Sequence, residues 1–509
     1  MPVMHFHVRW PDASETRCYS PSLVVQDFLQ PGVRYPLPDF LARTREALGI
    51  ASERGPPAGR RGRGAGLRLT TTEPFQGTPM SHPYGGRSHY SVVIVGGGQA
   101  GLSLSHELQQ RGIDHLVIEK RSLVHSWRTQ RWDTFCLVTP NWQCQLPGWP
   151  YRGDDPHGFM VKDQINDWLA GFVAQVKAPA IEGVSVEKVS RAGEHERWQV
   201  QTSEGLYTAD QVVVASGGYH KPVVPRMAEK LPASVVQYHS AQYRNPSQLP
   251  EGAVLVVGCG QSGAQIAEDL HLAGRQVVLS TGNAPRCARF YRGKEVVDWL
   301  ADMGYYDMPV TQHPLREGVR DNTNHYVTGR DGGRDIDLRR FAREGMQLYG
   351  QLEGFEDGAL QFLPNLRDNL DHADRIYNGI NASIDKHIAA KGIEAPPPSM
   401  YEPVWTPGEE RTRLDLAAAG ITSVVWCIGF APDFAWVDAP VFNGRGHPVH
   451  LRGVTREPGL YFLGLPWLHT WGSGRFSGIA RDAAFLGDAI ATHAAGRFAQ
   501  RAAQQLQAA

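Results

Sequence analysis

Residues 91–105 constrain the fold more than any other part of the chain. Their sequence, SVVIVGGGQAGLSLS, joins an apolar, β-branched run to the pattern G-x-G-x-x-G and then to the apolar spacing of a helix. This order predicts a buried parallel strand, a tight turn and a helix whose free N–H groups face a pyrophosphate. A second apolar strand ends in Glu119, 18 residues beyond Gly101, where a carboxylate accepts ribose hydroxyls. The pattern therefore predicts a βαβ unit that binds an adenine dinucleotide, rather than an ordinary glycine-rich turn.

The same pattern recurs in the second half of the chain. An apolar run at 254–257 leads into GCGQSG at 258–263, then into a helical pattern and another apolar strand at 276–279. Two adenine dinucleotide sites in one chain imply hydride transfer between the two ligands, usually from a nicotinamide to a flavin. We therefore expect FAD at the first site and a nicotinamide nucleotide at the second. The alternative is that one of the two units is a degenerate duplicate.

The residues that follow this second unit indicate which nicotinamide nucleotide is used. No carboxylate closes the strand at 276–279; Ser280 and Thr281 stand there instead, with Arg286 and Arg289 a few residues beyond. A carboxylate at this place would repel a 2′-phosphate, whereas a nearby arginine would bind it. The sequence therefore predicts NADPH rather than NADH, with Arg286 as a phosphate ligand.

Composition and charge place the chain among ordinary globular proteins. It has 509 residues, of which 41% are hydrophobic and 20% charged, so that more than one domain is expected. A net charge of −1 argues against broad binding to nucleic acid, and no apolar run is long enough to span a membrane. The six cysteines are dispersed and form no C-x-x-C pair, which favours a reduced, cytoplasmic setting and gives no indication of a metal site.

The order of these patterns predicts an α/β chain with two Rossmann-like dinucleotide-binding domains, one inserted in the other, behind a small N-terminal α+β module. The expected boundaries are 1–54 for the module, 55–87 for a flexible linker, 88–230 for the first part of the FAD-binding domain, 231–430 for the NAD(P)-binding domain, and 431–509 for the C-terminal part of the FAD-binding domain.

Some elements inside these domains are also predicted. Short strands at 184–189, 198–202 and 206–209 favour an antiparallel meander, followed by a separate buried strand at 211–215. A helical insertion is expected at about 290–400. Within it, apolar spacing predicts helices at 336–349 and 366–390.

The first 54 residues contain patterns that predict secondary structure and a family resemblance of their own. The alternation at 5–10 predicts a strand, to which 16–19 could pair back as a hairpin, and Asp39 can cap a helix that follows. The segments VRWPDASETRCYSPS and YPLPDFLARTREALGIASER resemble a family of small bacterial proteins named for a nitrogen-starvation response.

The linker that follows is GPPAGRRGRGAGLRLTTT, which is too poor in apolar residues to form a core. A solvated linker is a better interpretation of its arginines than a nucleic-acid contact. Met80 begins MSHPYGGRSHYSVVIVGGG, which has the form of a natural flavoprotein start. We therefore expect the first 79 residues to be a neighbouring small protein fused to the flavoprotein.

Several further segments carry a family resemblance over about residues 88–495. They are GGGQAG, GCGQSGAQIA, the Ser-Trp-Arg at 126–128, CIGF, LVTPNWQCQLP and GLYFLGLPWLHTWGSG. Together they resemble the flavin-containing monooxygenases, in particular the bacterial and plant YUCCA-like branch. The chain is closer still to a subgroup of flavin-dependent oxidoreductases from bacterial nitrilase-containing gene clusters.

One motif of that family is only partly kept. In F-x-G-x-x-x-H-x-x-x-[FYW] the histidine and the aromatic are His239 and Tyr243, whereas Ala233 and Val235 replace the phenylalanine and the glycine. This departure weakens the expected coupling between NADP binding and oxygen activation. NADPH-dependent reduction of FAD is therefore the firmer expectation, and oxygen transfer is the further one.

The resemblance implies site residues and a reaction. The expected cofactor ligands are Gly96, Gly98, Gln99, Ala100, Gly101, Glu119, Lys120, Trp127 and Arg128 for FAD, and Gly258, Gly260, Gln261, Ser262, Gly263 and Arg286 for NADPH. Asn141 and Arg475 are the candidate catalytic residues beside the flavin, and His469 and Trp471 are candidates for the substrate cavity.

The implied reaction is oxygenation of a small nitrogen-, sulfur- or carbonyl-containing substrate by O₂ through a flavin C4a-hydroperoxide. Three alternatives remain. The chain could be a flavin dehydrogenase or oxidase without oxygen insertion, or a sensor that only holds FAD. A disulfide reductase is disfavoured because the cysteine pair is missing. A homodimer is left open.

Overall fold

The computed structural model describes residues 4–9, 15–20, 43, 87–191 and 197–508, with side chains described between 87 and 496. The chain divides into two units, Met1–Thr78 and Pro79–Ala509. In the first unit, β1 (Met4–Arg9) pairs with β2 (Glu15–Ser20) in an antiparallel hairpin, as its alternating sequence predicts. The linker and most of the helix expected after Asp39 lie outside the described residues.

The second unit contains eight described helices and twenty-one strands. The helices are α1 (Gln99–Gln110), α2 (His125–Thr129), α3 (Lys162–Val176), α4 (Gln261–Leu272), α5 (Val296–Asp302), α6 (Leu338–Arg343), α7 (Leu366–Lys391) and α8 (Ile479–Ala508). The strands are β3 (His89–Val95), β4 (His115–Glu119), β5 (Gln145–Leu146), β6 (Trp149–Pro150), β7 (Ala180–Glu182), β8 (Val186–Arg191), β9 (Trp198–Thr202), β10 (Gly205–Val214), β11 (Lys221–Pro222), β12 (Val236–His239), β13 (Ala253–Val257), β14 (Val277–Ser280), β15 (Phe290–Tyr291), β16 (Lys294–Glu295), β17 (Gln347–Tyr349), β18 (Leu352–Glu356), β19 (Ala359–Phe362), β20 (Arg413–Asp415), β21 (Ile421–Trp426), β22 (Phe430–Ala431) and β23 (Leu460–Phe462).

The first large sheet carries the first glycine pattern. Its parallel strands are β7, β4, β3, β10 and β23, and β9 and β8 extend it in antiparallel fashion. Val92, Val93 and Ile94 of β3 are fully buried, because apolar side chains pack on both faces of the sheet. The two strands expected at 206–209 and 211–215 are one strand, β10. Its first half pairs with β9 and its second half with β23, while β3 runs along the other side, so no break is needed.

The second large sheet carries the second glycine pattern. It is entirely parallel, in the order β12-β21-β13-β14-β17. The chain enters it after β10 and returns to the first sheet at β23, so the second sheet is inserted between two strands of the first. The fold is therefore of the mixed α/β class.

The segment at 290–400 is less helical than its sequence indicates. The helix expected at 366–390 is present as α7, but the one expected at 336–349 is wrong beyond α6. Gly345 adopts φ +109°, a left-handed conformation that ends the helical course. The chain then enters the second sheet as β17, paired with β14. Tertiary pairing thus overrides the local helical spacing.

Among the described helices, none is both long and apolar enough to cross a membrane.

Candidate cofactor-binding site

The first glycine pattern forms a close cradle between β3 and α1. Gly96 has φ +113°, and a Cβ there would lie 2.6 Å from the carbonyl oxygen of Ala215. A Cβ on Gly101 would lie 1.9 Å from the carbonyl oxygen of Gly96, so both positions require glycine. A Cβ on Gly98, in contrast, would meet no heavy atom within 4 Å. The turn is closed on the sheet side and open at the N terminus of α1, the arrangement that a pyrophosphate needs.

Glu119 lies beside this cradle at the end of β4. Its carboxylate accepts hydrogen bonds from the backbone N–H of Gly97, at 2.7 Å, and of Arg121, at 2.8 Å. These bonds fix the acid next to the open side of the turn, where ribose hydroxyls of FAD would lie. Lys120 and Arg128 are both exposed, so their predicted contacts with FAD stay predictions.

Gln99 joins three parts of the first domain at this point. Its amide nitrogen donates to the carbonyl oxygen of Gly474, and its amide oxygen accepts from the indole N–H of Trp127 at 3.0 Å. Trp127 also stacks on Phe476, with 4.8 Å between ring centroids. The cradle, α2 and the C-terminal loop are therefore held together around the start of α1. The sequence predicts Gln99 and Trp127 here, and the structure brings them into contact.

Arg475 lies in the same C-terminal loop. Its guanidinium donates to the side-chain oxygen of Asn324 at 2.9 Å and to the carbonyl of Trp471, and it lies 4.1 Å from the ring centroid of Trp471. Burial lowers its pKa below the usual value. No carboxylate among the described residues pairs with it. The structure thus gives a partly desolvated cation near the first cradle, and its catalytic role stays a prediction.

Asn141 is buried and fully engaged with neighbouring backbone. Its amide nitrogen donates to the carbonyl of Asp155 at 2.9 Å, and its amide oxygen accepts from the N–H of Met160 at 2.7 Å. These two bonds hold the loop between 155 and 160 against the proline-bearing segment. A positioning role fits these contacts, and the expected contact with the flavin stays a prediction.

The second glycine pattern repeats the cradle between β13 and α4. Gly258 has φ +98°, and a Cβ on Gly263 would lie 1.8 Å from the carbonyl oxygen of Gly258. Gln261 donates its amide N–H to the carbonyl of Val327 at 2.7 Å. Its buried amide oxygen has no hydrogen-bond partner among the described residues, so it is free to accept from a ligand. Ser262 is half-buried in the same turn of α4. These features fit a nicotinamide dinucleotide.

The contacts of Arg286 argue against its predicted role as a phosphate ligand. Its side chain is 3% exposed, its guanidinium forms an ion pair with Asp374 at 2.9 Å, and it contacts the rings of Tyr377 and Tyr401. An arginine that is buried and paired in this way is not available to a 2′-phosphate. Arg289 is also buried and pairs with Glu295 at 2.7 Å. Both arginines hold the 290–400 segment together instead.

Asp269 on α4 is a structural residue that the sequence did not single out. Its carboxylate accepts from the hydroxyls of Thr134 and Tyr243, both at 2.7 Å, and pairs with Arg330 at 3.1 Å. It therefore joins the segment after α2, the segment after β12 and the 290–400 segment on the helix that carries the second cradle. A carboxylate within an otherwise buried helix face was the signal available in the sequence.

Arg131 was also missed. Its guanidinium lies 4.7 Å from the ring centroid of Trp127 and 5.3 Å from that of Phe135, and burial lowers its pKa to about 10. The repeated arginines of its segment gave no basis for choosing it. Arg131 thus contacts the ring of Trp127, whose indole N–H donates to Gln99.

The family-motif histidine, His239, contacts the end of the second sheet. It hydrogen-bonds the carbonyl of Gly429 at 3.0 Å, and its ring packs edge-on against Phe430 at 4.7 Å. Burial lowers its pKa, which favours the neutral imidazole. The histidine thus packs on the CIGF segment, even though Ala233 and Val235 replace two residues of the motif.

A cover lies over the C-terminal loop. Residues 305–324, which we call the cover, contact residues 467–475 at several points. Tyr306 packs on Trp471, with 4.6 Å between ring centroids, and the N–H of Val310 donates to the carbonyl of His469 at 2.6 Å. Asn324 adds the contact with Arg475. The predicted cavity residue Trp471 therefore lies under the cover, and His469 meets it through its backbone.

Comparisons with known proteins agree with these observations. A family model described as Pyridine nucleotide-disulphide oxidoreductase matches residues 93–320, and one described as Nitrogen starvation-induced protein NitG matches residues 5–56. The solved structure of a mutant flavin monooxygenase from Stenotrophomonas maltophilia aligns with a TM-score of 0.55 and 19% identity, covering 80% of this chain and 100% of that chain. At this identity the likeness shows the fold.

Two proteins of similar sequence also match this chain. An indole-3-pyruvate monooxygenase, YUCCA1 of Oryza sativa, is 26% identical over 322 residues, which are 61% of this chain and 78% of the relative. A Geobacillus kaustophilus protein described as "Uncharacterized oxidoreductase CzcO-like" is 31% identical over 407 residues, which are 79% of this chain and 98% of the relative. The expected resemblances to the YUCCA-like flavin monooxygenases and, near the N terminus, to the nitrogen-starvation-response proteins are thereby confirmed. The chain belongs to the CzcO-like family of oxidoreductases, and it is an NAD(P)H-dependent flavin enzyme with FAD and NADPH as its cofactors.

Proposed function

We propose that the chain is a monooxygenase that transfers one oxygen atom of O₂ to a small nitrogen-, sulfur- or carbonyl-containing substrate. In the overall reaction, substrate, O₂, NADPH and a proton give the oxygenated product, NADP⁺ and water. FAD, when bound, supplies the acceptor for hydride and the centre at which O₂ reacts. The residues of the chain bind and orient the cofactors and keep water away from them.

The cover over the C-terminal loop is the observation that carries this proposal. Oxygen transfer from a reduced flavin competes with release of H₂O₂, and exclusion of water favours transfer. Tyr306, Val310 and Asn324 of the cover contact the loop that also meets Gln99 at the first cradle. These contacts would hold the cover against this loop and limit the access of water to a flavin bound beside it.

The disulfide-reductase alternative finds no support in the cysteines. The five described cysteines are free, and four of them are buried. Burial raises the pKa of Cys144 to about 12 and also raises that of Cys136. Because the thiolate is the reactive form, these two thiols are poorly suited to disulfide exchange.

The test weakens one contact of the cover and measures whether the electrons of NADPH appear in H₂O₂ or in oxygenated product. Asn324→Ala removes a hydrogen bond to a cation at an exposed position, worth about 1 kcal/mol, so the open fraction should rise roughly fivefold. We expect more H₂O₂ per NADPH consumed, and less oxygenated product from a panel of small amines, sulfides and ketones. Asn322→Ala is the matched control, since Asn322 is exposed in the same segment.

The results distinguish a monooxygenase from an oxidase or dehydrogenase and from a sensor. If NADPH consumption gives only H₂O₂ with every substrate, and the variant does not change this, the chain is an oxidase or a dehydrogenase rather than a monooxygenase. If NADPH fails to reduce the bound flavin at all, the alternative of a sensor that only holds FAD is favoured.

A further inference from the structure

The burial of Arg286 leaves the 2′-phosphate of NADPH without the ligand that the sequence suggested. The end of β14 is where this phosphate is expected, because the adenosine ribose lies beyond the second strand of such a unit. The hydroxyl of Thr281 donates to the carbonyl of Tyr349 at 2.8 Å, so it joins β14 to β17. The next residue, Gly282, stands in open space, since a Cβ there would meet no heavy atom within 4 Å. The edge is therefore open at Gly282, and β14 ends in Ser280 without a carboxylate.

A different arginine lies at the same edge. In the small antiparallel sheet, Gln361 of β19 pairs with Arg413 of β20, and the N–H of Phe362 donates to the carbonyl of Thr412. Residues 411–413 therefore stand beside the point where β18 and β19 meet the carboxyl end of β17. The guanidinium of Arg411 lies 4.7 Å from the ring centroid of Tyr349.

The guanidinium of Arg411 is available to a ligand. It is exposed, and its guanidinium forms no ion pair or hydrogen bond with another residue in the part of the chain that the structure describes. Arg367, at the start of α7, donates to the carbonyl of Pro407 at 2.5 Å instead. Stacking on an aromatic face leaves the edge of a guanidinium free, and that edge suits bidentate binding of a phosphate.

We infer that Arg411 binds the 2′-phosphate of NADPH and makes the enzyme prefer NADPH to NADH. Tyr349 pairs with Ser280 in the adjacent strands β17 and β14, and neighbouring strands lie about 5 Å apart, a distance within the length of an arginine side chain. The guanidinium is pre-oriented by the Tyr349 ring rather than by a competing acid. The inference rests on NADPH as the reductant of this flavin enzyme.

The test measures binding of the adenosine half of the cofactor. Full-length, flavin-loaded wild type, Arg411→Ala and Arg413→Ala are titrated with 2′,5′-ADP and with 5′-AMP by calorimetry. Arg411→Ala should weaken 2′,5′-ADP binding about 10-fold and leave 5′-AMP binding unchanged. Arg413→Ala, an exposed arginine two positions along, should change neither, and equal melting temperatures show that all three proteins fold.

Three results would overturn the inference. They are equal binding of both nucleotides by the wild type, no change in Arg411→Ala, and an equal loss of both nucleotides in Arg411→Ala. Neither nucleotide reports on oxygen transfer, so failure to find an oxygenated product would count against the proposed monooxygenase alone.

Discussion

The carboxyl group of Asp482 makes the stability of the C-terminal segment depend on pH. Asp482 lies in the first turn of α8 and is 2% exposed. Burial raises its pKa from 3.8 to about 6, although a hydrogen bond from Ser473 and the charges of Arg452 and Arg481 lower it. Ser473 in turn accepts from the N–H groups of His469 and Thr470, so the carboxyl group supports the loop under the cover.

Because the pKa of Asp482 is raised in the folded state, the stability that its neutral carboxyl group contributes decreases as the pH rises. Below about pH 3 the carboxyl is protonated in both the folded and the unfolded chain, and the favourable contribution of the neutral form is fully present. As pH rises toward 6, the unfolded chain releases its proton first, and this contribution is lost. A pKa difference of one corresponds to about 1.4 kcal/mol, so the whole shift corresponds to about 3 kcal/mol, of which about 2 kcal/mol is lost between pH 4 and pH 7.

Asp482→Asn removes this titration while keeping the shape of the side chain. The free energy of unfolding of the variant, minus that of the wild type, should increase by about 2 kcal/mol between pH 4 and pH 7. Urea unfolding of the flavin-loaded proteins, followed by flavin fluorescence across that range, measures this difference. Asp163→Asn, in the first turn of α3 and exposed, is the control and should show little change. A constant difference for Asp482→Asn across the range would refute the reasoning.

Two further predictions concern the cradle and the helix that carries the second one. Gly101→Ala places a Cβ against the carbonyl of the first cradle and should abolish FAD retention, measured as flavin absorbance per protein, whereas Gly379→Ala, in open space on α7, should retain it. Asp269→Asn removes the charge that pairs with Arg330 and should lower the free energy of unfolding by about 3 kcal/mol, measured by urea titration, whereas the exposed Asp331→Asn should cost under about 1 kcal/mol.

The parts of the site that depend on local sequence could be predicted. Each glycine cradle needs only a strand, a turn and a helix in succession, and the close contacts at Gly101 and Gly263 lie within that unit. The contact between Gln99 and Trp127 spans only 28 positions and involves two segments already assigned to FAD. Such features are visible in one stretch of sequence because their partners are near in the chain.

The parts that depend on distant partners could not be predicted. Arg286 stands in the sequence where a phosphate ligand is expected, but Asp374, on a helix far along the chain, pairs with it. The helix expected at 336–349 ended early because β14 offered a pairing edge to β17. Arg411 had no motif around it and gained its significance only from its place above Tyr349.

Anaerobic mixing of the flavin-loaded chain with NADPH tests the central claim most directly. We expect the flavin absorbance band to bleach on mixing with NADPH, and to bleach faster than with NADH at the same concentration. Persistence of the oxidised band with both nucleotides would contradict the claim that the two cradles serve one hydride transfer.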